Sequence, residues 1–287
     1  GQWEKALDLF EELIGRGLEP QIVTYGALIS ACGKNGQLKK ALDLFDDLRQ
    51  RGLEPDIIMY NVLIAACGKA GRWRRALDVF DELKGQQSAG LQPTISTYGL
   101  LISACAKAGE AAKALELFDE VRQQGLDPDV TMYNALMSAC DKGRQCQKAL
   151  AVFDDLQQRG LEPDIITYST LISACGKDGR WVKALDLFDE LRRNGLEPNV
   201  ITYSALISAC AKGGQWEKAL ELFDSLQRRG LEPSGITYNA LISACGRGGQ
   251  WERALGLFEE LQRRGLEPNV ITFNALISAY EKGGQWE

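Results

Sequence analysis

A 35-residue period constrains this sequence more than any other feature. From Ile201 the chain reads ITYSALISACAKGGQWEKALELFDSLQRRGLEPS, and from Ile236 it reads ITYNALISACGRGGQWERALGLFEELQRRGLEPN. With each unit beginning at the second residue after a recurring proline, the complete units are 22–56, 57–94, 95–129, 130–164, 165–199, 200–234 and 235–269, flanked by partial units 1–21 and 270–287. The second complete unit has 38 residues, because three extra residues lie between Lys84 and Pro93. Such self-similarity predicts one elongated repeat array over residues 1–287.

Each unit has the pattern of two amphipathic helices. In the unit that begins at Val200, apolar residues recur three and four positions apart as far as Cys210, and a second such stripe begins at Trp216. Gly213 ends the first helix of this prediction and Gly230 ends the second. One helical hairpin cannot cover both of its apolar faces, whereas stacked neighbours can. The predicted fold is therefore all-α: an α-solenoid, a right-handed superhelix of stacked antiparallel helix-turn-helix repeats.

Two columns, meaning residues at the same place in successive units, favour a packed and reduced core. Six tryptophans share a column at the start of the second helix, and core packing is the favoured interpretation for them: Trp3, Trp73, Trp181, Trp216, Trp251 and Trp286. Seven cysteines share a column on the apolar stripe of the first helix: Cys32, Cys67, Cys105, Cys140, Cys175, Cys210 and Cys245. Packed helices lie about 8–10 Å apart, so neighbouring cysteines of this column are not expected to form disulfides.

The composition argues against catalysis and metal binding. The chain has no histidine, which excludes Ser-His-Asp and Cys-His arrangements, and it has no CxxC motif for zinc. No glycine-rich phosphate-binding motif is present either. We expect no catalytic residues, no metal ligands, no cofactor and no enzymatic activity. No apolar run approaches the ~18 residues of a membrane span.

A third column is basic in every unit and lies at the end of the first helix. Its members are Lys34, Lys69, Lys107, Lys142, Lys177, Lys212, Arg247 and Lys282. One interpretation is a cation stabilised by the helix macrodipole, and the other is a row of charges that contacts a phosphate backbone. The net charge of −6 is compatible with such a row, because most acidic residues fall on the polar face of the second helix.

Two further columns vary among small polar residues. In the unit that begins at Val200, the residues Ile201, Ser204, Ser208 and Lys212 form one line along the first helix. The fifth residues of the units are Gly26, Asn61, Gly99, Asn134, Ser169, Ser204, Asn239 and Asn274, and the closing residues are Asp56, Thr94, Asp129, Asp164, Asn199, Ser234 and Asn269. Helix N-capping explains the closing residues. It does not explain Asn or Ser at the fifth residue, inside the helix, where both are poor helix formers.

These columns resemble the pentatricopeptide repeat family of the P type, over essentially the whole chain. The resemblance rests on the period, on TYNALI at the start of the unit, on the KAL-LF--L pattern of the second helix and on the closing RGLEPD. The W-x-x-L-G-x-x-Y pattern of tetratricopeptide repeats is absent.

The resemblance implies binding of single-stranded RNA with roughly one base per unit. The fifth and closing residues together would contact the base edge, and the basic column would contact phosphate. Carried over to this chain, the resemblance implies one base for each of five residue pairs. Uracil is implied for Asn134 with Asp164, adenine for Ser169 with Asn199, and cytosine for Asn239 with Asn269. A purine is implied for Ser204 with Ser234, and a pyrimidine for Asn61 with Thr94. Gly26 with Asp56 and Gly99 with Asp129 depart from the usual pairings, because glycine has no side chain, and the bases of these two units are left unassigned. The second residue would pack on the base, as Val23, Ile58, Ile166, Ile201, Ile236 and Ile271, with Ser96 and Thr131 as polar departures.

The family resemblance further implies an organellar setting, in a plastid or a mitochondrion, and a role in RNA processing, stability or translation. The alternative is a helical-repeat scaffold subunit of a large organellar complex, because an α-solenoid also binds proteins well. Both ends of the sequence stop within a unit, so we expect flanking segments or a capping partner there.

Overall fold

The computed structural model describes residues 2–86 and 90–283, and within these residues it contains sixteen α-helices and no strand. The helices alternate between the first and the second helix of successive units. Their bounds are α1 Gln2–Gly15, α2 Ile22–Lys34, α3 Leu38–Gln50, α4 Ile57–Lys69, α5 Trp73–Gly85, α6 Ile95–Ala108, α7 Ala111–Gln123, α8 Val130–Lys142, α9 Cys146–Gln158, α10 Ile165–Lys177, α11 Trp181–Arg193, α12 Val200–Lys212, α13 Trp216–Arg228, α14 Gly235–Arg247, α15 Trp251–Arg263 and α16 Val270–Gly283.

The chain divides into two compact parts, which we call the N-terminal body (Gly1–Gly143) and the C-terminal body (Arg144–Glu287). In the N-terminal body the first helices α2, α4, α6 and α8 pack in succession, and in the C-terminal body α10, α12, α14 and α16 do the same. Within each body, a second helix packs against the first helix of its own unit and against the first helix of the next unit. The predicted all-α solenoid is confirmed in this repeated packing, while the handedness of its superhelix stays a prediction.

Local sequence signals set the helix bounds. Asn199 caps α12, since its Oδ1 atom accepts from the backbone N–H of Thr202 at 3.0 Å. The helix ends at Lys212, and Gly214 then takes a left-handed conformation with φ of 75°. Arg144 occupies the equivalent place after α8 with φ of 53°, a conformation that costs a non-glycine residue roughly 1–2 kcal/mol.

The interfaces between successive units repeat the same contacts. Phe188 of α11 and Tyr203 of α12 form an edge-to-face ring pair with centroids 5.3 Å apart. First helices approach closely where glycine meets alanine: a Cβ atom added to Gly176 would lie 2.6 Å from the Cβ of Ala209. Glycine is therefore required at this point of the α10–α12 contact.

The tryptophan and cysteine columns have different environments. All eight cysteines are buried and free, as predicted for the seven that share a column. The prediction that the tryptophans form the core is corrected, because the five that lie in the described residues are only half-buried. The indole of Trp181 covers Gly213 of the next unit, so closely that a Cβ atom there would collide with it, and its other side stays accessible. Trp286 lies outside the described residues.

Candidate nucleic-acid interface

In each body the second residues of successive units form a row of exposed side chains, which are apolar in six of the units. The exposed fractions are 75% for Val23, 66% for Ile58, 59% for Ile166, 68% for Ile201, 72% for Ile236 and 63% for Ile271. Ser96 and Thr131 hold the same place and are exposed as well. Large apolar side chains that recur on one surface indicate a binding site, because nothing in their own helix requires them to face solvent.

The fifth residues lie deeper, between successive first helices. Asn134 and Ser169 are each 8% exposed. Gly26, Asn61, Gly99, Ser204 and Asn239 are half-buried, and Asn274, in the last described helix, is exposed. A polar group at this depth is desolvated, so a hydrogen bond that it offers to a ligand contributes more than one on the open surface.

The closing residues cap the N-termini of the first helices, as the N-capping interpretation of this column predicted. In each case a side-chain oxygen accepts from a backbone N–H three residues later, at 2.8 to 3.4 Å: Asp56 from Met59, Thr94 from Thr97, Asp129 from Met132, Asp164 from Thr167, Asn199 from Thr202, Ser234 from Thr237 and Asn269 from Thr272.

Capping leaves part of these side chains available. The cap bond of Asn199 uses Oδ1, and its Nδ2 amino group keeps two donors for a ligand. Asn269 also caps through Oδ1, which accepts from the backbone N–H of Ile271 at 3.0 Å and of Thr272 at 3.2 Å. A cap and a ligand contact are therefore compatible in one asparagine.

The basic column lies at the C-terminal ends of the first helices. The seven residues from Lys34 to Arg247 are exposed, whereas the side chain of Lys282 lies outside the described residues. Two of them contact the helix before: Nζ of Lys142 donates to the carbonyl oxygen of Lys107 at 3.4 Å, and Nη2 of Arg247 donates to that of Ala211 at 2.6 Å. These bonds match the interaction of a cation with a helix C-terminus, and they leave further donors for an anion.

Charge is segregated between the two sets of helices. The seven helices α2, α4, α6, α8, α10, α12 and α14 hold seven basic residues and a single acidic one, Asp141. Acidic side chains concentrate on the second helices, as Asp186, Asp189 and Glu190 do on α11. With the closing residues Asp56, Asp129 and Asp164 included, the candidate interface still holds seven basic against four acidic residues, although the chain is acidic overall.

In the C-terminal body the predicted residues of neighbouring units line one groove. It has a volume of about 400 Å3, and its lining includes Ser169, Lys177, Ile201, Ser204, Lys212 and Ser234. An apolar side chain, three hydroxyl groups and two cations thus line one groove. This set can bind a planar ring with a polar edge that is attached to an anionic backbone.

One group of residues in this interface was missed by the sequence analysis. In the C-terminal body the third residues Thr202, Thr237 and Thr272 are buried and lie against the fifth residues of the units before them. Contacts between units are not visible in a helix pattern, but the pairing of Gly26 with Met59 and of Gly99 with Met132 is a signal in the sequence.

The described residues hold neither a candidate metal site nor a helix that could span a membrane. They contain no cluster of histidine, cysteine and carboxylate groups suited to a metal ion. None of the helices in residues 2–86 and 90–283 combines the length and the apolar character that crossing a bilayer requires.

Family models match the chain along most of its length. The pentacotripeptide-repeat region of PRORP matches residues 19–183, more than half of the chain. The PPR repeat family matches 165–212, the pentatricopeptide repeat domain matches 221–282, and the PPR repeat matches 1–18 and 201–231. The chain therefore belongs to the pentatricopeptide repeat family. No curated protein matches it.

Solved structures of repeat proteins resemble the fold. The pentatricopeptide repeat protein PPR10 from maize is 29% identical, with a TM-score of 0.60 over 98% of this chain and 45% of that protein. PPR10 in complex with an 18-nt psaJ RNA element is 22% identical, with a TM-score of 0.55 over 100% of this chain and 51% of that one. The PPR domain of Arabidopsis thaliana PRORP1 in complex with tRNA is 17% identical, with a TM-score of 0.54 over 63% of this chain and 95% of that one. The chain spans about half the length of the PPR10 chains.

Proposed function

We propose that this protein binds single-stranded RNA with sequence selectivity and that each unit contacts roughly one base. The carrying observation comes from the first helices of the C-terminal body, where an exposed apolar residue, a polar pair and a basic residue recur in units 165–199, 200–234 and 235–269. The apolar residue packs on the base, the polar pair meets its edge, and the basic residue neutralises a phosphate.

The similar proteins support this class of ligand. One PPR10 structure is described as a complex with an RNA element, and the PRORP1 repeat domain is described as a complex with tRNA. The segregation of charge in this chain also supports it, since a polyanion needs a basic surface and not a basic protein.

The fifth and closing residues select the bases in this proposal. Units 130–269 prefer 5′-U-A-purine-C-3′, with the RNA running parallel to the chain, as the family resemblance implies. At the second of these units the chemistry is explicit, because the Nδ2 group of Asn199 is a donor and N1 of adenine is an acceptor. Guanine carries a hydrogen on N1 and is rejected at this unit.

In its cell the protein acts by covering RNA and not by catalysis. A bound solenoid blocks nucleases and keeps a strand from folding, so binding alone alters the processing, stability or translation of a transcript. The proposed setting is a plastid or a mitochondrion, which rests on the family resemblance.

Binding measurements at several salt concentrations test the proposal. The protein is titrated against an RNA that contains 5′-UAAC-3′ and against a scrambled RNA of equal composition. We expect tighter binding to the first RNA and a fall in affinity with salt of about 0.7 log units per phosphate contact for each tenfold rise in salt. Equal and weak binding to both RNAs would contradict it.

The second candidate function is that of a protein scaffold. The observation in its favour is that Lys142 and Arg247 already contact carbonyl groups of the preceding helix. The exposed isoleucines would then hold an apolar helix of a partner protein. A partner that binds with little salt dependence, combined with no RNA binding, is the outcome that this function predicts.

A further inference from the structure

In five pairs of units the third residue of one unit lies directly against the fifth residue of the unit before it. In the C-terminal body the Oγ of Ser169 is 2.8 Å from the Oγ1 of Thr202, and the Oγ of Ser204 is 2.7 Å from that of Thr237. The Oγ1 of Thr272 donates to the Oδ1 of Asn239 at 2.6 Å. All three threonines have an exposed fraction of 0%.

The same threonines also hold the closing residues. The Oγ1 of Thr202 donates to the Oδ1 of Asn199 at 3.1 Å, and the Oγ1 of Thr237 lies 3.2 Å from the Oγ of Ser234. The hydroxyl of Thr272 is 3.2 Å from the Oδ1 of Asn269. Each hydroxyl therefore touches both side chains that contact the base edge in the proposed function.

In the N-terminal body the third residue is methionine where the fifth residue is glycine. A Cβ atom added to Gly26 would lie 3.5 Å from the Cε of Met59, and one added to Gly99 would lie 3.9 Å from the Cε of Met132. Both methionines are buried, with 4% and 3% exposure. Their methyl groups lie next to the position that the Cβ atom of a side chain at the fifth residue would occupy.

The sequence follows this rule in all seven successive pairs. Glycine is followed by methionine, and asparagine or serine is followed by threonine: Gly26–Met59, Asn61–Thr97, Gly99–Met132, Asn134–Thr167, Ser169–Thr202, Ser204–Thr237 and Asn239–Thr272. Volume alone explains methionine beside glycine, but it does not require threonine beside Asn or Ser, because valine has nearly the same shape without a hydroxyl group. A matched pair is expected if the two residues act together.

The single hydroxyl proton of the threonine determines which group of the fifth residue is left to bind a ligand. A hydroxyl has one proton to donate. Thr272 gives it to the nearby Oδ1 of Asn239, which fixes the amide so that Nδ2 is the group left for a ligand. The Oδ1 of Asn199 can only accept, so when Thr202 gives its proton to Asn199, Ser169 donates to Thr202 and offers only lone pairs outward. The third residue thus sets whether the fifth residue acts as donor or acceptor.

The polarities agree with the proposed bases. Asn239 presents a donor, which suits the O2 and N3 acceptors of cytosine, and Ser169 presents an acceptor, which suits the amino group of adenine. The unit that contains Asn61 lacks the contact: Oδ1 of Asn61 is buried with no hydrogen-bond partner, while the hydroxyl of Thr97 bonds to Thr94. A base whose donor reaches Asn61 would satisfy this oxygen.

We propose that the third residue of each unit is a positioning residue for base selection by the unit before it. Threonine fixes the direction of the hydrogen bond that the fifth residue offers. Met59 and Met132 fill the equivalent space with an apolar methyl group, so the units of Gly26 and Gly99 accept any base. This inference rests on the proposed RNA-binding function.

The first test removes one hydroxyl with little change of shape. RNA is selected from a randomised pool with the wild-type protein, Thr202→Val and Thr237→Val, after thermal melts establish that the variants fold. We expect Thr202→Val to lose preference about five- to tenfold at the Ser169 unit alone, and Thr237→Val at the Ser204 unit alone. Thr202→Ser keeps the hydroxyl and should restore the wild-type profile.

The second test introduces a base preference at a unit for which none is proposed. Gly99→Asn combined with Met132→Thr should create a preference for uracil at the unit 95–129, whose closing residue is Asp129. Gly99→Asn with Met132 retained should create none, because the amide then faces a methyl group. This variant pair does not depend on the stability of the threonine variants.

The outcomes separate the inference from the proposed function. If the wild-type protein selects bases but the threonine variants leave every position unchanged, or weaken all positions equally, the inference is wrong and the proposed function stands. If the wild-type protein selects no base, both are wrong.

Discussion

The fifth residues Gly26 and Gly99 of the N-terminal body lie against methionine side chains, whereas Ser169 and Ser204 of the C-terminal body are hydrogen bonded to threonines. The apolar row differs too. It is complete in the C-terminal body, at Ile166, Ile201, Ile236 and Ile271, but Ser96 and Thr131 interrupt it in the N-terminal body.

The cores of the two bodies do not differ in this way. Phe80 and Tyr98 of the N-terminal body have ring centroids 5.2 Å apart, and Phe223 and Tyr238 of the C-terminal body have theirs 5.4 Å apart. Stacking is thus independent of what the first-helix face presents. This independence lets a repeat protein change its ligand unit by unit without a change of fold.

The largest expected effect is alkaline unfolding, which should affect both bodies alike. Burial raises the pKa of Cys105 and of Cys245 from 9.0 to about 11. The folded state therefore binds more protons than the unfolded state between these values, so stability is complete below pH 9 and declines as the pH rises towards 11. Circular dichroism melts from pH 8 to pH 11 measure it.

Two single variants provide the matched comparison for this pH effect. Cys105→Ala and Cys245→Ala should each make the decline of stability with pH shallower, and by similar amounts, since the two pKa values agree. If stability does not change between pH 9 and pH 11, or if only one of the two variants alters the decline, the two cores do not bury their cysteines alike.

The next effect is on overall RNA affinity. Lys177→Ala with Lys212→Ala removes two cations of the C-terminal body, and affinity should fall about twentyfold at 0.1 M salt for every RNA sequence. Lys34→Ala with Lys107→Ala, in the two units with a glycine at the fifth place, should cost about the same factor, because a phosphate contact does not depend on the base. Filter binding over a range of salt concentrations measures both, and a loss for one pair alone would contradict a phosphate contact in both bodies.

A smaller effect concerns one base. Asn199→Asp keeps the cap oxygen that accepts from Thr202 and replaces the free amino group by an acceptor. Preference at this unit should move from adenine to guanine by about tenfold, by analogy with base-edge contacts in DNA. Asp129→Asn is the matched change in the unit of Gly99, and selection from random RNA should detect no new base there.

The smallest effect concerns the apolar row. Ile201→Ala should weaken RNA binding about threefold to fivefold, by loss of apolar contact with one base, and leave the melting temperature unchanged because this side chain is 68% exposed. Ser96→Ile should strengthen binding by about the same factor. A drop in melting temperature for Ile201→Ala would instead indicate a structural role.

Much of the fold and of the candidate site could be predicted, because the interactions involved are local. The bounds of α12 follow from the cap at Asn199 and the glycines after Lys212. The line of Ile201, Ser204 and Lys212 follows from 3.6 residues per turn, and the structure has these residues along one groove. The sequence of a single helix determines its bounds and the residues that share a face, so both could be predicted without knowing the neighbouring helices.

Other features could not be predicted because they depend on how units meet. Cys146 is outside the cysteine column, yet its Sγ lies 3.6 Å from the Sγ of Cys175. Trp181 is half-buried because Gly213 of the following unit gives its indole a surface to cover. The offset between two stacked units decides both contacts, and no pattern within one unit encodes that offset.

The sequence by itself determined the helices, the repeat and the residues that share a face, since spacing along one helix sets them. Only the tertiary structure decided that Thr202 lies between Ser169 and Asn199, because this contact joins residues of two units across a packed interface. It also decided that Arg247 reaches the carbonyl oxygen of Ala211, 36 residues away. The physical reason is that the geometry of one helix sets the direction of a side chain. The residue that this side chain contacts depends on the rotation and rise between neighbouring units.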